Sequence, residues 1–245
     1  MKTIAIAGGT GWVGRRVVEA VRRHGAEPIV IARSTGVDLT NGAGLDQALE
    51  DVDAVIDVTN IVTRNRRRAT TFFTTSTLNL LDAEERQGVK HHLMLSIIGS
   101  DRVGLGYYKA KQAQEELVRQ GPVPWTILRA TQFHEFAAQM LGDGPVAVVP
   151  WMLSQPVAAQ EVADELIRLA TAPAAGMAAE LAGPREELVP DMARRLASAR
   201  GRRTLVVTLP VPGATGRDMR TGALLPTGPG PRGTQTFDQW LQDPT

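Results

Sequence analysis

Glycines at positions 8, 11 and 14 follow directly on an apolar run from Thr3 to Ala7 and open a stretch, Trp12 to Arg23, with apolar residues at helical spacing. A triplet in that position constrains the fold more than any other feature, because a strand must turn sharply and a helix must start against it. Gly8 permits the tight turn, Gly11 lets the backbone approach a pyrophosphate, and Gly14 omits the Cβ that would hold helix and strand apart. The helix amino terminus then offers N–H groups and partial positive charge to an anion. The segment Gly8-Gly9-Thr10-Gly11-Trp12-Val13-Gly14 is therefore expected to bind a dinucleotide through Gly8, Thr10, Gly11, Trp12, Val13 and Gly14.

Further runs rich in Val and Ile lie at Pro28 to Ala32, Ala54 to Val58, His92 to Ile97 and Trp125 to Leu128. Helix-like stretches at Leu45 to Asp51, Ala69 to Arg86 and Tyr108 to Arg119 alternate with them. Alternation of this kind predicts an α/β fold, a doubly wound parallel sheet of Rossmann type, with its ligand crevice beyond the carboxyl ends of the strands. After Thr131 the pattern loosens into helix-like Phe133 to Leu141, Gln160 to Ala172 and Leu188 to Ala199, with strand-like Thr204 to Leu209. The expected division is a Rossmann core over residues 1–131 and a small substrate lobe over 132–245, packed as one unit with the core. Pro210 to Gly233 holds 11 Gly or Pro in 24 residues, which excludes regular structure over most of it. Phe237, Trp240 and Leu241 have helical spacing suited to pinning the terminus.

With 245 residues, 43% of them hydrophobic, the chain can bury a full core. Lys plus Arg is 27 against 26 acids, which gives no general reason to bind nucleic acid or an anionic membrane. The absence of cysteine removes disulfides, thiolate metal sites and cysteine nucleophiles, and is compatible with a reducing cytoplasm. His24 and His134 stand alone, and His91 and His92 would point to opposite faces of a strand, so no metal site is expected. Met1-Lys2-Thr3 runs straight into a strand-like stretch, leaving no room for a signal peptide, and the uncharged run Gly144 to Gln160 is broken by three prolines. A cytoplasmic protein without a membrane span is the expectation. Arg64, Arg66, Arg67 and Arg68 precede a helix start, where the dipole disfavours cations; they suit either an anionic partner or cofactor phosphate, or a solvated loop.

Arg33 closes the second strand-like run, 19 residues after Gly14, where NAD-preferring folds place a carboxylate for the adenosine ribose. A guanidinium there can grip a 2′-phosphate in a forked geometry, with Ser34 as a second donor, so NADP(H) is expected to be favoured over NAD(H). The alternative is a solvated surface arginine. The glycine spacing, together with Ala32-Arg33-Ser34, Asp57-Val58-Thr59-Asn60, Leu95-Ser96-Ile97-Ile98-Gly99, Tyr107-Tyr108-Lys109-Ala110-Lys111, Ile127-Leu128-Arg129-Ala130-Thr131-Gln132-Phe133 and a Trp240-Leu241 tail, resembles the short-chain dehydrogenase/reductase superfamily, and within it the atypical NmrA-like branch. The resemblance implies that Asp38 faces the adenine amino group and that Thr59 and Asn60 line the nicotinamide ribose; each also suits a turn or cap.

Tyr107 and Lys111 are four residues apart, which on a helix puts them on one face. An ammonium beside a phenol lowers its pKa from about 10 and makes it a proton donor and acceptor. The resemblance implies that Lys111 also hydrogen-bonds the nicotinamide ribose and that a strand-end serine polarises a carbonyl; Ser96 is the candidate and Ser100 its rival. From Thr131 to Pro156, Phe133, Phe136, Met140, Trp151, Met152 and Leu153 suit an apolar pocket, with Gln132, Phe133, His134 and Trp151 as candidate substrate contacts. The expected function is NADPH-dependent reduction of a hydrophobic carbonyl, quinone or enone by a monomer or homodimer. The alternatives are a non-catalytic NADP(H)-sensing regulator, of the kind NmrA-like proteins include, and a sugar-nucleotide epimerase or dehydratase, for which the lobe looks small.

Overall fold

The computed structural model describes residues 1–63 and 65–242, so Arg64 lies outside the described residues. The chain opens with β1 (Thr3–Ala7), α1 (Trp12–Arg23), β2 (Glu27–Ile31), α2 (Leu45–Ala48), β3 (Ala54–Asp57), α3 (Arg66–Gln87), β4 (His91–Ile97), α4 (Gly106–Gln120) and β5 (Trp125–Ala130). It continues with α5 (Phe136–Leu141), β6 (Val146–Pro150), β7 (Leu153–Ser154), α6 (Ala159–Thr171), β8 (Gly176–Met177), β9 (Glu187–Leu188), α7 (Val189–Ala199), β10 (Leu205–Leu209), α8 (Gly213–Arg220) and α9 (Phe237–Gln242).

Six strands form one parallel sheet in the order β2-β1-β3-β4-β5-β8. Ala7 is in register with both Ile31 of β2 and Asp57 of β3. The chain runs outward from β1 to β2 and then returns past β1 to β3, which puts the topological switch at the carboxyl ends of β1 and β3. Strands buried on both faces read as continuous apolar runs: Ile4 to Ala7 and Ala54 to Ile56 are buried throughout. Over one face, Leu45, Leu49 and Leu80 pack against Ala5, Ala7, Ile31 and Val55. Over β4 and β5, Val118 packs against Met94 and Ile127.

The elements differ from the sequence expectations for local reasons. Helix α3 begins three residues early because the Asn65 side chain accepts a hydrogen bond from the Arg68 amide at 3.1 Å, a helix cap. Helix α2 is only four residues long, and soon afterwards Asp51 takes a positive φ of 58° that no helix continues through. Strand β8 was not expected, since two residues containing a glycine carry no periodicity. Helix α8 forms inside the Gly/Pro-rich segment, behind Pro212 at its amino-terminal cap.

The chain forms two compact units. The first comprises residues 1–96, 106–129 and 160–178, with the sheet, α1 to α4 and nearly all of α6. The second comprises residues 97–105, 130–159 and 179–245. The division therefore does not fall at one point near residue 131, because the sequence returns to the first unit for α6 and β8. In the second unit β10 pairs in parallel with β6, β7 pairs antiparallel with β9, and α5 and α7 pack on β6. Phe237 and Trp240 are buried and stack at 5.5 Å between centroids, and Trp240 Nε1 donates to Glu135 at 3.0 Å, so α9 pins the carboxyl end to this unit. Among the described residues no helix is long and apolar enough to cross a membrane.

A Cβ on Gly14 would lie 2.1 Å from the Gly8 carbonyl oxygen and 2.7 Å from the Gly9 Cα, both rigid backbone. Gly14→Ala should lower unfolding stability by at least about 2 kcal/mol through overpacking. Gly228→Ala, whose added Cβ meets nothing within 4 Å, should be neutral or slightly stabilising. Urea unfolding of the two variants checks the contrast.

Candidate functional site

Every dinucleotide-binding candidate from Gly8 to Asn60, and with them Ser96, Tyr107 and Lys111, belongs to the first unit. Gly8 leaves β1 at φ 82°, its amide donating to the Ile31 carbonyl at 3.0 Å. Its Cα sits against the backbone of Val58 and Thr59, where a Cβ would come within 3.2 Å of both. Gly11 caps α1 with no side-chain hydrogen bond, and the first turn of α1 carries no acid. The turn thus presents the amide N–H groups of α1 to an anion with no carboxylate in competition. Beside it, the Thr59 hydroxyl is buried and has no hydrogen-bond partner, a polar atom still able to bond a ligand. Glycine cradle, open helix start and orphan hydroxyl together fit a dinucleotide pyrophosphate and ribose.

An open groove of about 390 Å³ begins at Gly9 and Thr10 and continues along α1 between Arg15, Val18, Glu19, Arg22 and Val30. Arg33 and Ser34 form a short 3-10 turn directly after β2, and both are exposed. Asp38 accepts from the Thr40 amide at 2.8 Å and from its hydroxyl at 2.7 Å. These bonds, with the Arg33 charge nearby, hold the carboxyl below its ordinary range. Asp38 thus closes a turn with Thr40.

At the carboxyl end of β3, Asn60 follows Thr59, and the Tyr107 hydroxyl donates to Asn60 Oδ1 at 2.7 Å. Tyr107 stands in the first turn of α4 and packs edge-on to Phe73 at 5.7 Å. In place of the lowered phenol expected from a lysine one turn away, burial pushes the Tyr107 hydroxyl up to about 12. Lys111 does not offset this because its ammonium is directed inward. Lys111 Nζ donates to the Leu95 carbonyl at 2.9 Å and to Gln114 Oε1 at 2.7 Å, and lies 4.9 Å over the Phe73 ring. Gln114 in turn donates to Asp57 at 2.8 Å, linking the buried cation to a buried carboxylate. Burial brings Lys111 down to about 8 even though Asp57 and Glu115 favour its charge.

Ser96, expected to polarise a carbonyl, instead donates its hydroxyl to Glu115 Oε1 at 2.5 Å, and Arg129 and Arg119 donate to the same carboxylate. Its rival Ser100 is buried in the second unit. The substrate candidates Gln132, Phe133, His134 and Trp151 also belong to the second unit. His134 is fully buried there, with Nε2 3.0 Å from the Gln235 carbonyl and its ring packed at a tilt, with centroids 5.8 Å and 6.0 Å from those of Phe237 and Trp240. It anchors the carboxyl end in place of the substrate role expected of it. Gln132 and Phe133 are half-buried, Phe133 bridging Val157, and Trp151 is exposed. Sequence reasoning missed Gln114 as the link between Lys111 and Asp57. The available signal was Asp57 itself, an acid inside an otherwise apolar strand.

The sequence matches the NAD(P)H-binding family over residues 8–173. No curated protein matches it. Among solved structures, the chain is similar to a short-chain dehydrogenase/reductase superfamily protein from Agrobacterium tumefaciens with bound NAD, with TM-score 0.72 and 19% identity over 98% of this chain and 95% of that one. A nucleoside-diphosphate-sugar epimerase from Staphylococcus aureus aligns at TM-score 0.71 and 14% identity over 99% and 100%. A dTDP-4-dehydrorhamnose reductase from Bacillus anthracis in complex with NADP aligns at 0.69 and 14% over 85% of each chain. These likenesses are of fold.

The lowered Lys111 makes stability depend on pH with a definite sign. Between about 8 and its ordinary 10.5, the folded protein has released a proton that the unfolded chain still holds, so stability rises with pH. From pH 8 to 9.5 the gain should be on the order of 1 to 2 kcal/mol, below the range where the buried tyrosines begin to oppose it. Lys111→Met should flatten the rise; denaturant titrations at the two pH values measure it.

Proposed function

Because the chain belongs to the NAD(P)H-binding family, we propose that it is an NADPH-dependent reductase of a hydrophobic carbonyl, quinone or enone. The observation that carries the reading is the Tyr107 hydroxyl, tied at 2.7 Å to Asn60, next to the Thr59 that abuts Gly8 at the sheet's switch point. With its pKa pushed up by burial to about 12, Tyr107 keeps its proton at physiological pH and can pass it to a developing alkoxide, as a weaker acid than a phenol paired with a lysine. Bound NADPH supplies the hydride. The amide groups at the start of α1 hold the pyrophosphate, Thr59 and Asn60 flank the nicotinamide ribose, and Arg33 with Ser34 receives the 2′-phosphate. Lys111 acts at a distance, as a positioning residue that braces α4 against Asp57 through Gln114.

The inward commitment of Lys111 and Ser96 favours one second reading: a protein that binds NADP(H) and signals its presence without turnover. The two readings separate cleanly. A reductase oxidises NADPH when offered quinones, enones or aryl ketones, whereas a sensor binds it and leaves every acceptor unreduced.

Calorimetric titration should show NADPH binding at least about tenfold tighter than NADH, the loss of one charged contact corresponding to about 1.5 to 3 kcal/mol. Arg33→Asp should reverse the order; equal affinities in the parent would remove Arg33 from the site. Tyr107→Phe should lower kcat by about 10² to 10⁴ with NADPH affinity unchanged. Parental turnover in that variant would show that the proton comes from another group.

A further inference from the structure

In the second unit, β6 and β10 pair in parallel with Val146 beside Leu205, Val148 beside Val207 and Pro150 beside Leu209. Paired residues in a parallel ladder face the same side, and alternate residues face opposite sides. One face therefore presents Ala147, Val149, Val206 and Thr208, with Ala147 and Val149 buried, and α5 and α7 pack on this pair of strands. The other presents Val146, Val148, Pro150, Leu205, Val207 and Leu209. On that second face Val146 is 54%, Val148 59%, Leu205 63% and Leu209 51% exposed. These four belong to the nine large apolar side chains exposed among the described residues.

Such a face is anomalous twice over. Parallel strands occur almost only where both faces are covered, and a sheet of two strands is marginal without packing. Exposed strands that keep one face polar alternate apolar and polar residues, yet every residue from Val146 to Trp151 is apolar, and β10 offers only Thr208 as a polar member, on the opposite side.

We propose that this face is covered by the same face of a second copy of the chain, in a twofold symmetric dimer. The four exposed side chains offer on the order of 400 Å² of mostly apolar surface, so two copies face to face remove on the order of 800 Å², the size of a weak, reversible interface. The chemistry supports a copy of itself. Neither strand carries a charge, so the face meets its own image without leaving any charge unpaired. The rim carries both signs, exposed Asp143 and Arg203, as a self-complementary interface allows; an anionic membrane surface would select for cations alone. Within the chain Arg202 lies 3.9 Å from Asp143 and donates to the Gly142 carbonyl at 2.6 Å, which leaves Arg203 as the rim cation to meet a copy's Asp143. The inference is independent of the proposed reductase activity, since none of these residues belongs to the dinucleotide turn.

Sedimentation equilibrium of the full chain tests it. The parent should behave as a dimer of twice 26.4 kDa at micromolar concentration. Val148→Lys, counted twice across the symmetry, should raise the dissociation constant by at least about a hundredfold, with an unchanged far-UV circular dichroism spectrum. Mixing Val148→Lys with Val148→Asp chains should restore a heterodimer. Should the lysine variant fail to fold, Val148→Thr and Leu205→Thr, compatible with strands, should each still weaken the dimer at least tenfold. A parent that remains monomeric at 100 µM, variants that dimerise with parental affinity, or a monomeric parent that cosediments with phosphatidylglycerol vesicles would each overturn the proposal.

Discussion

The first unit depends on one close approach of backbone to backbone. The start of α1 lies so near the turn after β1 that a methyl group on Gly14 would come within 2.1 Å of the Gly8 carbonyl, and Gly8 itself presses on Val58 and Thr59 at the end of β3. That contact sets the angle at which α1 leaves the sheet and holds the ends of β1 and β3 level. The same approach aims the open amide groups of the helix at the switch point, so packing and the proposed anion site share one cause. A side chain at Gly14 would force helix and strand apart and misdirect those amides together.

Beneath the switch point, charged groups are used for construction. Asp57, Gln114, Lys111 and the Leu95 carbonyl form a chain of hydrogen bonds joining β3, α4 and β4. Glu115 gathers Ser96, Arg129 and Arg119, joining α4 to β4 and β5. Glu84 of α3 and His92 of β4, both fully buried, meet at 2.8 Å; burial opposes ionisation of His92, but the carboxylate beside it holds the imidazole above its ordinary range. Buried polar groups of this kind are costly unless every partner is present, which makes them effective at fixing the register of helices over a sheet. Tyr107, at the outer end of α4, is left as the titratable group tied to the switch-point loop.

What was legible in the sequence follows from what leaves a periodic trace. The bounds of β1 and α1 agree with the structure to the residue, because an apolar run, three glycines and a 3.6-residue stripe each mark a boundary. His91 and His92 part to opposite faces as alternation requires, one to Thr126 and the other to Glu84. Spacing alone did not say which way a side chain turns. Tyr107 and Lys111 share a helix face, yet the lysine is drawn inward by Gln114 and a carbonyl that no pattern displays. Ser96 ends its strand as expected but finds Glu115, nineteen residues on, before any substrate. His134 is taken up by Phe237 and Trp240, a hundred residues downstream, and only the aromatic spacing of the tail hinted that something would hold it.

The central claim is that the turn from Gly8 to Gly14 is the dinucleotide pyrophosphate site. Backbone amide resonances of the nitrogen-15-labelled chain, followed while NADPH is added, test it most directly. The account predicts that Gly9, Gly11, Trp12, Val13 and Gly14 shift first and furthest, saturating along one binding curve with Thr59 and Asn60. Saturable binding that leaves these amides unmoved while shifting others would contradict it.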